Sequence, residues 1–537
     1  MIFTSEIIIQ GFVMSNYFVG IDNGGTKTKC CIFDESGKLI SSSSVSIPVS
    51  TPHPGWVERN CEDVWYGNIK VIKSSIEKAS EHSTFHVNDI KAVGLTGYGN
   101  GVCFVDENGE SLYPAVVSTD SRASTYLDKW ENDGTMLAVY EKTFQKIWDA
   151  QPAALIPWFR DNMPEILKKA KYSLDIKDYV RFCLTGVLCS EITAASSGAL
   201  MNIFEKKYDY DIFQLLGIED YWGITPPYVG STDISGYITK KASQATGLPE
   251  GIPVSGGYFD IDAGSLGAGV TSQGILNLIA GTWSINEYIT NDINSSKGKF
   301  SNTVGYLPGY YVVEDSSPTS CANLEWFLHN FLLMNKNKKE PQIEGDIYKR
   351  CDEIIEKIDP NKNRIVFVPY VFASSSNPLS RGAFLNLTAN CDWKYMLEAV
   401  YEGIVFSSAF HVKRLIKGMP NFRCARLSGG ITKSDYWTQM LCDTINIPIE
   451  TLEGDEQSAL GAAISGAIAC GHYLNEQDAV NSMTHVKKTF YPKPLRVKIM
   501  QDKFKTFEKA IRSVDYFHSG KIDYSGFMNE VQKTIEK

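Results

Sequence analysis

Tyr17-Phe18-Val19-Gly20-Ile21-Asp22-Asn23-Gly24-Gly25-Thr26-Lys27-Thr28-Lys29-Cys30-Cys31-Ile32-Phe33 is the stretch on which the fold turns. Tyr17 to Asp22 reads as a strand, Asn23-Gly24-Gly25 as a tight turn and Thr28 to Phe33 as the returning strand, the pattern of a hairpin. Asp34-Glu35-Ser36-Gly37 is a second turn and Lys38 to Ile47 a third strand, so the chain opens as an antiparallel meander. Trp65, Ile69, Ile72 and Ile76 then recur at helical spacing behind Asn60, a fitting N-cap, and lead to a buried strand at Ile90 to Leu95.

The opening pattern returns in the second half: Ile275 to Ala280, the turn Gly281-Thr282, then Ser284 to Ile289. Helical stretches follow at Met396 to Ile416 and Trp437 to Thr444. A short strand ends in Ser428-Gly429-Gly430, and a small-residue helix from Glu456 to Cys470 closes at Gly471. The division falls near Gly256-Gly257 with no low-complexity linker, which predicts two halves, 15–257 and 258–500, packed closely and hinged about a few residues. Residues 1–14 read as an N-terminal extension, with Met14 a candidate native start. Residues 501–537 read as a helical tail in which Phe507, Ile511, Val514 and Phe517 pack on the chain itself or on a partner.

At 537 residues the chain exceeds one ordinary core, and 43% apolar with 21% charged residues is a globular composition. A net charge of -10 lacks the basic excess of a nucleic-acid binder. No run of 18 apolar residues spans a bilayer, and the apolar patch before Met14 carries Glu6 without a basic flank or a cleavage site. Twelve cysteines without a CxxC pair and eight histidines without ligand spacing point to reduced thiols and a cytoplasmic protein that acts on small molecules. A homodimer stays open.

Asp22-Asn23-Gly24-Gly25-Thr26-Lys27 sets glycines where a backbone approaches an anion closely, with a carboxylate before them and hydroxyl and ammonium donors after them. By itself it is also an ordinary hairpin turn. Neither GxxxxGK[ST] nor GxGxxG between strand and helix is present, which excludes P-loop and Rossmann machinery.

Taken in order, Ile21-Asp22-Asn23-Gly24-Gly25-Thr26, Pro54-Gly55-Trp56-Val57-Glu58, Gly256-Gly257-Tyr258-Phe259-Asp260, Leu427-Ser428-Gly429-Gly430 and Ala459-Leu460-Gly461-Ala462-Ala463 resemble the FGGY family of carbohydrate kinases, from about Tyr17 to about Tyr491. The resemblance implies an α/β protein of two actin-like (ribonuclease-H-like) domains with ATP and sugar in the cleft between them. Ser316-Ser317-Pro318-Thr319-Ser320, Asn323-Leu324-Glu325-Trp326-Phe327 and Tyr401 to Phe406 look similar to the L-xylulose kinase branch, with erythritol kinases near neighbours.

By that resemblance Asp260 is the catalytic base, and Asp262, two residues on, sits at a helix start where it favours the dipole. Asp22, Gly24, Gly25, Thr26 and Lys27 of the first half and Gly281 and Thr282 of the second would flank the phosphates. Gly429, Gly430, Ser434 and Gln439 would take the adenosine side, and Asp22 would hold magnesium through water. Gly99, Asn100, Asp120, Arg122 and Phe259 join Asp260 on the acceptor side, although Asp120 and Arg122 also read as an ion pair. Ser118 stands where relatives carry an aromatic residue and Gly99-Asn100 replaces bulkier pairs, so the acceptor is either a ketose such as L-xylulose or a polyol like erythritol or glycerol. Trp56, Trp65, Trp148 and Trp158 read as core residues; Trp283 adjoins the second phosphate turn. A non-catalytic actin-like ATP-binding protein would have no use for Asp260, and a sugar-responsive repressor would need a DNA-binding module before Tyr17.

Overall fold

The structure is a computed structural model that describes residues 16–519 apart from 282, 299–300, 333–345, 373, 375–376, 378 and 420. The expected extension at 1–14 and the tail beyond 519 therefore lie outside the described residues. The first sheet holds seven strands, β1 (Tyr17–Asn23), β2 (Thr28–Asp34), β3 (Leu39–Val45), β4 (Ile90–Gly97), β5 (Ile234–Tyr237), β6 (Pro253–Ser255) and β7 (Tyr258–Phe259). Their order is β5-β6-β4-β1-β2-β3, with β7 also paired to β4. The sheet thus continues two residues beyond 257. The hairpin pairs Tyr17 with Asp34 through Asn23 with Thr28, while β4 runs parallel to β1 on its other flank. Neighbours on both edges and helices on both faces bury β1 almost throughout, which suits its run of aromatic and β-branched residues.

Helix α1 (Cys61–Ala79) begins where expected: the Asn60 side chain accepts from the backbone N–H of Glu62 at 2.7 Å and Asp63 at 3.2 Å. Its most buried stripe is Cys61, Val64, Val71, Ile72 and Ala79, leaving Trp65, Ile69 and Ile76 at the edge of the contact. Gly67 turns the helix this way, because a Cβ there would stand 2.1 Å from Ile47 Cδ1. Between β4 and β5 the chain builds a helical lobe around Phe104, Trp130, Leu155, Phe159 and Phe213. The lobe leads through α2 (Ile176–Thr185) and α3 (Ile192–Ser197), and α4 (Asp260–Gly267) follows β7 directly.

The second sheet contains β8 (Ile275–Ala280), β9 (Ser284–Thr290), β10 (Ser301–Val304), β11 (Tyr311–Ser317), β12 (Cys424–Gly429), β13 (Ile449–Leu452) and β14 (Val486–Phe490), in the order β10-β11-β9-β8-β12-β13-β14. Its core order β11-β9-β8-β12-β13 repeats β3-β2-β1-β4-β6 of the first sheet, antiparallel then parallel in the same places. The repeated glycine turns of the sequence thus mark a structural repeat. Helices α5 (Trp393–Leu415) and α6 (Asp435–Ile445) cover this sheet, α7 (Gln457–Ala469) passes to the first, and α8 (Pro494–Ser519) closes the described chain. Phe504, Phe507, Ile511 and Val514 of α8 are buried in the second core, so that part of the tail packs on its own half, while Phe517 is exposed. Among the described residues no helix is long and apolar enough to cross a membrane.

Backbone-to-backbone contact joins the two halves. A Cβ on Gly20 of β1 would lie 1.9 Å from Ala459 O and one on Gly94 of β4 1.7 Å from Ala462 O, while within the second half one on Gly461 of α7 would lie 2.0 Å from Ala263 O of α4. Ser255 and Ser465 hydroxyls meet at 2.7 Å across the same seam. Around it Phe18, Ala92, Ile261, Leu266, Ile275 and Ile464 form one shared apolar cluster. Adding a methyl group here forces backbones apart, so Gly94→Ala is expected to cost about 3 kcal/mol of stability in urea unfolding, against about 0.5 kcal/mol or less for Gly223→Ala, whose added Cβ meets nothing within 4 Å.

Candidate active site

The carboxyl ends of β1, β4 and β7 lie side by side. Thr96 and Gly97 of β4 pair with Asp22 and Asn23 on one flank and with Tyr258 and Phe259 on the other. One strand thus separates Asp22 from the Phe259-Asp260 step, a span of about 10 Å. Asp260 opens α4 and stays half-buried. Burial first, then the carboxyls of Asp22 and of Glu314, push Asp260 well above the usual carboxylate range. Glu314 is on β11, so Asp260 stands where the two sheets face each other. Burial also raises Asp22 to about 6, with Lys29 opposing and Glu456 adding to the rise. Lys29 Nζ is itself engaged by Glu456 Oε2 at 2.7 Å.

Asp260 therefore has two acidic neighbours, Asp22 from one sheet and Glu314 from the other. Hard carboxylate oxygens suit magnesium, which takes one or two of them and completes its shell with phosphate oxygens and water. Among the described residues no three His, Cys, Asp or Glu side chains gather closely enough to hold a metal alone. The partial shell fits.

Asp262 points elsewhere. It is fully buried and neither carboxyl oxygen has a hydrogen-bond partner among the described residues. Burial and then the nearby Glu287 carboxyl push its pKa well above the usual carboxylate range, which disfavours a charge set against the helix dipole.

At the hairpin tip Gly25, Thr26 and Lys27 are exposed and Gly24 half-buried, and a Cβ on Gly25 would meet nothing within 4 Å. The carbonyls of Gly24 and Gly25 accept from the Arg59 guanidinium beneath them. That guanidinium is buried and lies 5.6 Å from the Tyr98 ring centroid. In the second sheet Ala280 pairs with Gly429, so Gly281 and Gly429-Gly430 adjoin at the equivalent strand ends. Gly429 has φ 92°, and a Cβ there would sit 2.4 Å from Ala280 O, so glycine is required twice over. Thr282 lies outside the described residues. Trp283 beside it is 40% exposed. Ser434 caps α6 by accepting from Trp437 N at 3.0 Å. Gln439 donates to Asp443 and to the Tyr491 carbonyl, and no described hydrogen bond ties it to the glycine pair.

Of the residues expected on the acceptor side, Gly99 lies against Phe259, whose ring atom Cε2 would be 2.4 Å from a Cβ at 99. Asn100 is left-handed at φ 68° with its side-chain oxygen buried and unpartnered. Asp120 and Arg122 are an ion pair, but a buried one. Asp120 accepts from Val57 N at 2.6 Å and from Arg122 at 2.8–2.9 Å, which uses both oxygens. Arg122 also donates to Glu58 at 2.8 Å, stacks 4.2 Å from the Trp56 ring centroid, and keeps only Nη1 without a partner. Trp56 packs edge-on to Trp158 in the lobe, as core tryptophans do.

Four charged neighbours of the candidate residues were given no role by the motif reading. Glu58 was visible only as part of a motif, and Arg59 follows it directly. Lys29 lies in the quoted hairpin, where its charge inside a strand was the signal. Asp149, half-buried and close enough to Asp120 to feel its charge, had none.

The family model for the N-terminal domain of the FGGY family of carbohydrate kinases matches residues 17–267, and the model for its C-terminal domain matches 276–470. A probable L-xylulose kinase of Pasteurella multocida is 31% identical over 500 residues, 92% of this chain and 98% of that protein. The L-xylulose/3-keto-L-gulonate kinase of Escherichia coli is 29% identical over 94% of this chain and 99% of its own length. Among solved structures, a xylulose kinase from Lactobacillus acidophilus superposes with a TM-score of 0.83 at 19% identity, covering 94% of this chain and 99% of that one. A Plasmodium falciparum glycerol kinase with ADP gives 0.78 at 20%, covering 93% and 98%. Two sheets of one topology, glycine turns at matching strand ends and agreement over nearly the whole length leave one assignment: the chain is a sugar kinase with two actin-like domains and belongs to the FGGY family of carbohydrate kinases.

Proposed function

We propose that this kinase transfers the γ-phosphoryl group of ATP to a hydroxyl of a small open-chain ketose, L-xylulose or a close relative, with Asp260 taking the hydroxyl proton. The observation that carries the reading is the place of Asp260: half-buried, on the first turn of α4, between Asp22 of one sheet and Glu314 of the other. The names of the Pasteurella and Escherichia relatives support the ketose.

Phosphoryl transfer asks little covalent help from a protein and much alignment. In this reading the Arg59 guanidinium pulls the Gly24 and Gly25 carbonyls inward and turns the tip toward the phosphates. Asp22 is the carboxylate on the magnesium side. When bound, magnesium supplies positive charge that offsets both the phosphate oxygens and the clustered carboxyls. Asp260 follows Phe259, whose ring lies against Gly99, and there meets the acceptor alcohol. The two halves close over the bound substrates and exclude water, which would otherwise take the phosphoryl group.

Asp260→Asn is expected to lower kcat by about 10³-fold with ATP affinity nearly unchanged, because the lost base acts on the alcohol; a variant within tenfold of the parent would remove the assignment. Arg59→Met keeps the stem but loses both carbonyl contacts, and its KM for ATP should rise about tenfold while that for the sugar moves little; initial-rate kinetics with each substrate varied decide this. ADP release measured with magnesium and ATP over pentuloses, tetritols and glycerol should be strongest with L-xylulose or a related pentulose. Greatest stimulation by a tetritol or glycerol would move the acceptor to a polyol.

A further inference from the structure

On the lobe side of the catalytic helix lies a set of charges with no solvent access and no part in the chemistry above. Lys177, Asp178, Arg181 and Glu191 are each within 1% of complete burial. Lys177 Nζ lies 2.7 Å from Asp178 Oδ1 and 3.4 Å from Glu191 Oε2, and Arg181 Nη1 lies 2.9 Å from Asp178 Oδ1. Replacing such a network by apolar residues is often neutral for stability, so a buried ion set of this size is poorly explained by stability alone. What it grips is informative.

Its outer contacts end on the segment that delivers Asp260. Arg181 Nη1 donates to Gly256 O at 2.6 Å. Ser231 donates its hydroxyl to Glu191 Oε1 at 2.6 Å, and its carbonyl accepts from Gly257 N at 2.9 Å. Thr193 makes the last link: its hydroxyl donates to Glu191 Oε2 at 2.8 Å and accepts from Phe259 N at 2.9 Å. A hydroxyl has one proton. Because Glu191 takes it, the lone pairs of Thr193 are left for the Phe259 N–H, and the rotor is fixed by the carboxylate behind it. Glu191 is fixed in turn as the cap of α3, accepting from Thr193 N at 2.8 Å and Ala194 N at 3.3 Å.

We infer that Thr193, set by Glu191, is a positioning residue for phosphoryl transfer: it holds the peptide of Phe259 and thereby the aim of Asp260. This rests on the reading of Asp260 as the base. Phe259 is fastened twice, its N–H by Thr193 and its ring in the space beside Gly99, which any side chain at 99 would fill. The next residue is Asp260, so a tilt of the Phe259 peptide passes directly to the carboxyl. Misplacement by about 1 Å is enough to cost about 10²-fold in rate.

Thr193→Val keeps the volume and removes the acceptor. Its kcat should fall between about 10- and 10²-fold with KM for ATP and sugar within about twofold, and Thr193→Ser should restore kcat to within about twofold of the parent. Thr193→Ala should repeat the loss, which keeps the test decisive if valine folds poorly. Full turnover in Thr193→Val and Thr193→Ala, or a serine variant as slow as valine, overturns the inference. So does a loss carried by KM. Asp260→Asn measured alongside separates the two claims. If Asp260→Asn is inactive while both hydroxyl-less variants are normal, only the positioning role fails; if Asp260→Asn is active, the base assignment fails and the positioning role falls with it.

Discussion

The close approach of α7 to β1, β4 and α4 is the constraint on which this molecule depends. Glycines at 20 and 94 let peptide groups of one half lie within van der Waals reach of those of the other, and glycines at 267 and 461 let α4 and α7 meet as closely. Side chains there would push the elements apart by more than a methyl group. Since α4 begins with Asp260, the packing that joins the two sheets also decides where the carboxyl proposed as the base lies. Stability and the position of the site thus share one seam, and the apolar cluster of Phe18, Ile261, Leu266 and Ile464 around it is common to both halves.

Charges in the protein divide into two kinds by how fully they are met. Asp120 and Glu191 have their oxygens taken up by backbone N–H groups, hydroxyls and cations, and their surroundings are rigid frames: one holds Arg122 under Trp56, the other holds the 256–259 segment. Asp22 and Glu314 both push the Asp260 carboxyl up, and the cation beside Asp22, Lys29, is already shared with Glu456. Saturated groups give shape. Unsaturated ones are where, in the proposed reading, the magnesium that travels with ATP would bring positive charge.

Much of the architecture was legible because it rests on local chemistry. Asn-Gly-Gly between two apolar runs makes a hairpin whatever surrounds it, and Asn60 caps α1 through its own neighbours. The repeat of strand, glycine turn and strand at 275–289 gave the second sheet its centre for the same reason. Where a reading went astray, a long-range contact was responsible: Gly67 lets α1 roll toward Ile47, so the buried stripe shifts from the one that spacing alone suggests. Asp120 and Arg122 read as an ion pair, yet only the fold shows that they are buried and which single nitrogen remains unpaired.

The sequence by itself determined the strands and turns, the two-fold repetition and the family, because each follows from short patterns kept in order along the chain. Tertiary structure alone decided that Arg59 props the glycine tip, that Asp262 is fully buried with no hydrogen-bond partner among the described residues while Asp260 is half-buried, and that Thr193 reaches the peptide that precedes Asp260. These relations join residues up to 66 positions apart through hydrogen bonds of single atoms. A one-dimensional pattern carries spacing; it does not carry which side of a helix turns inward once glycine backbones meet.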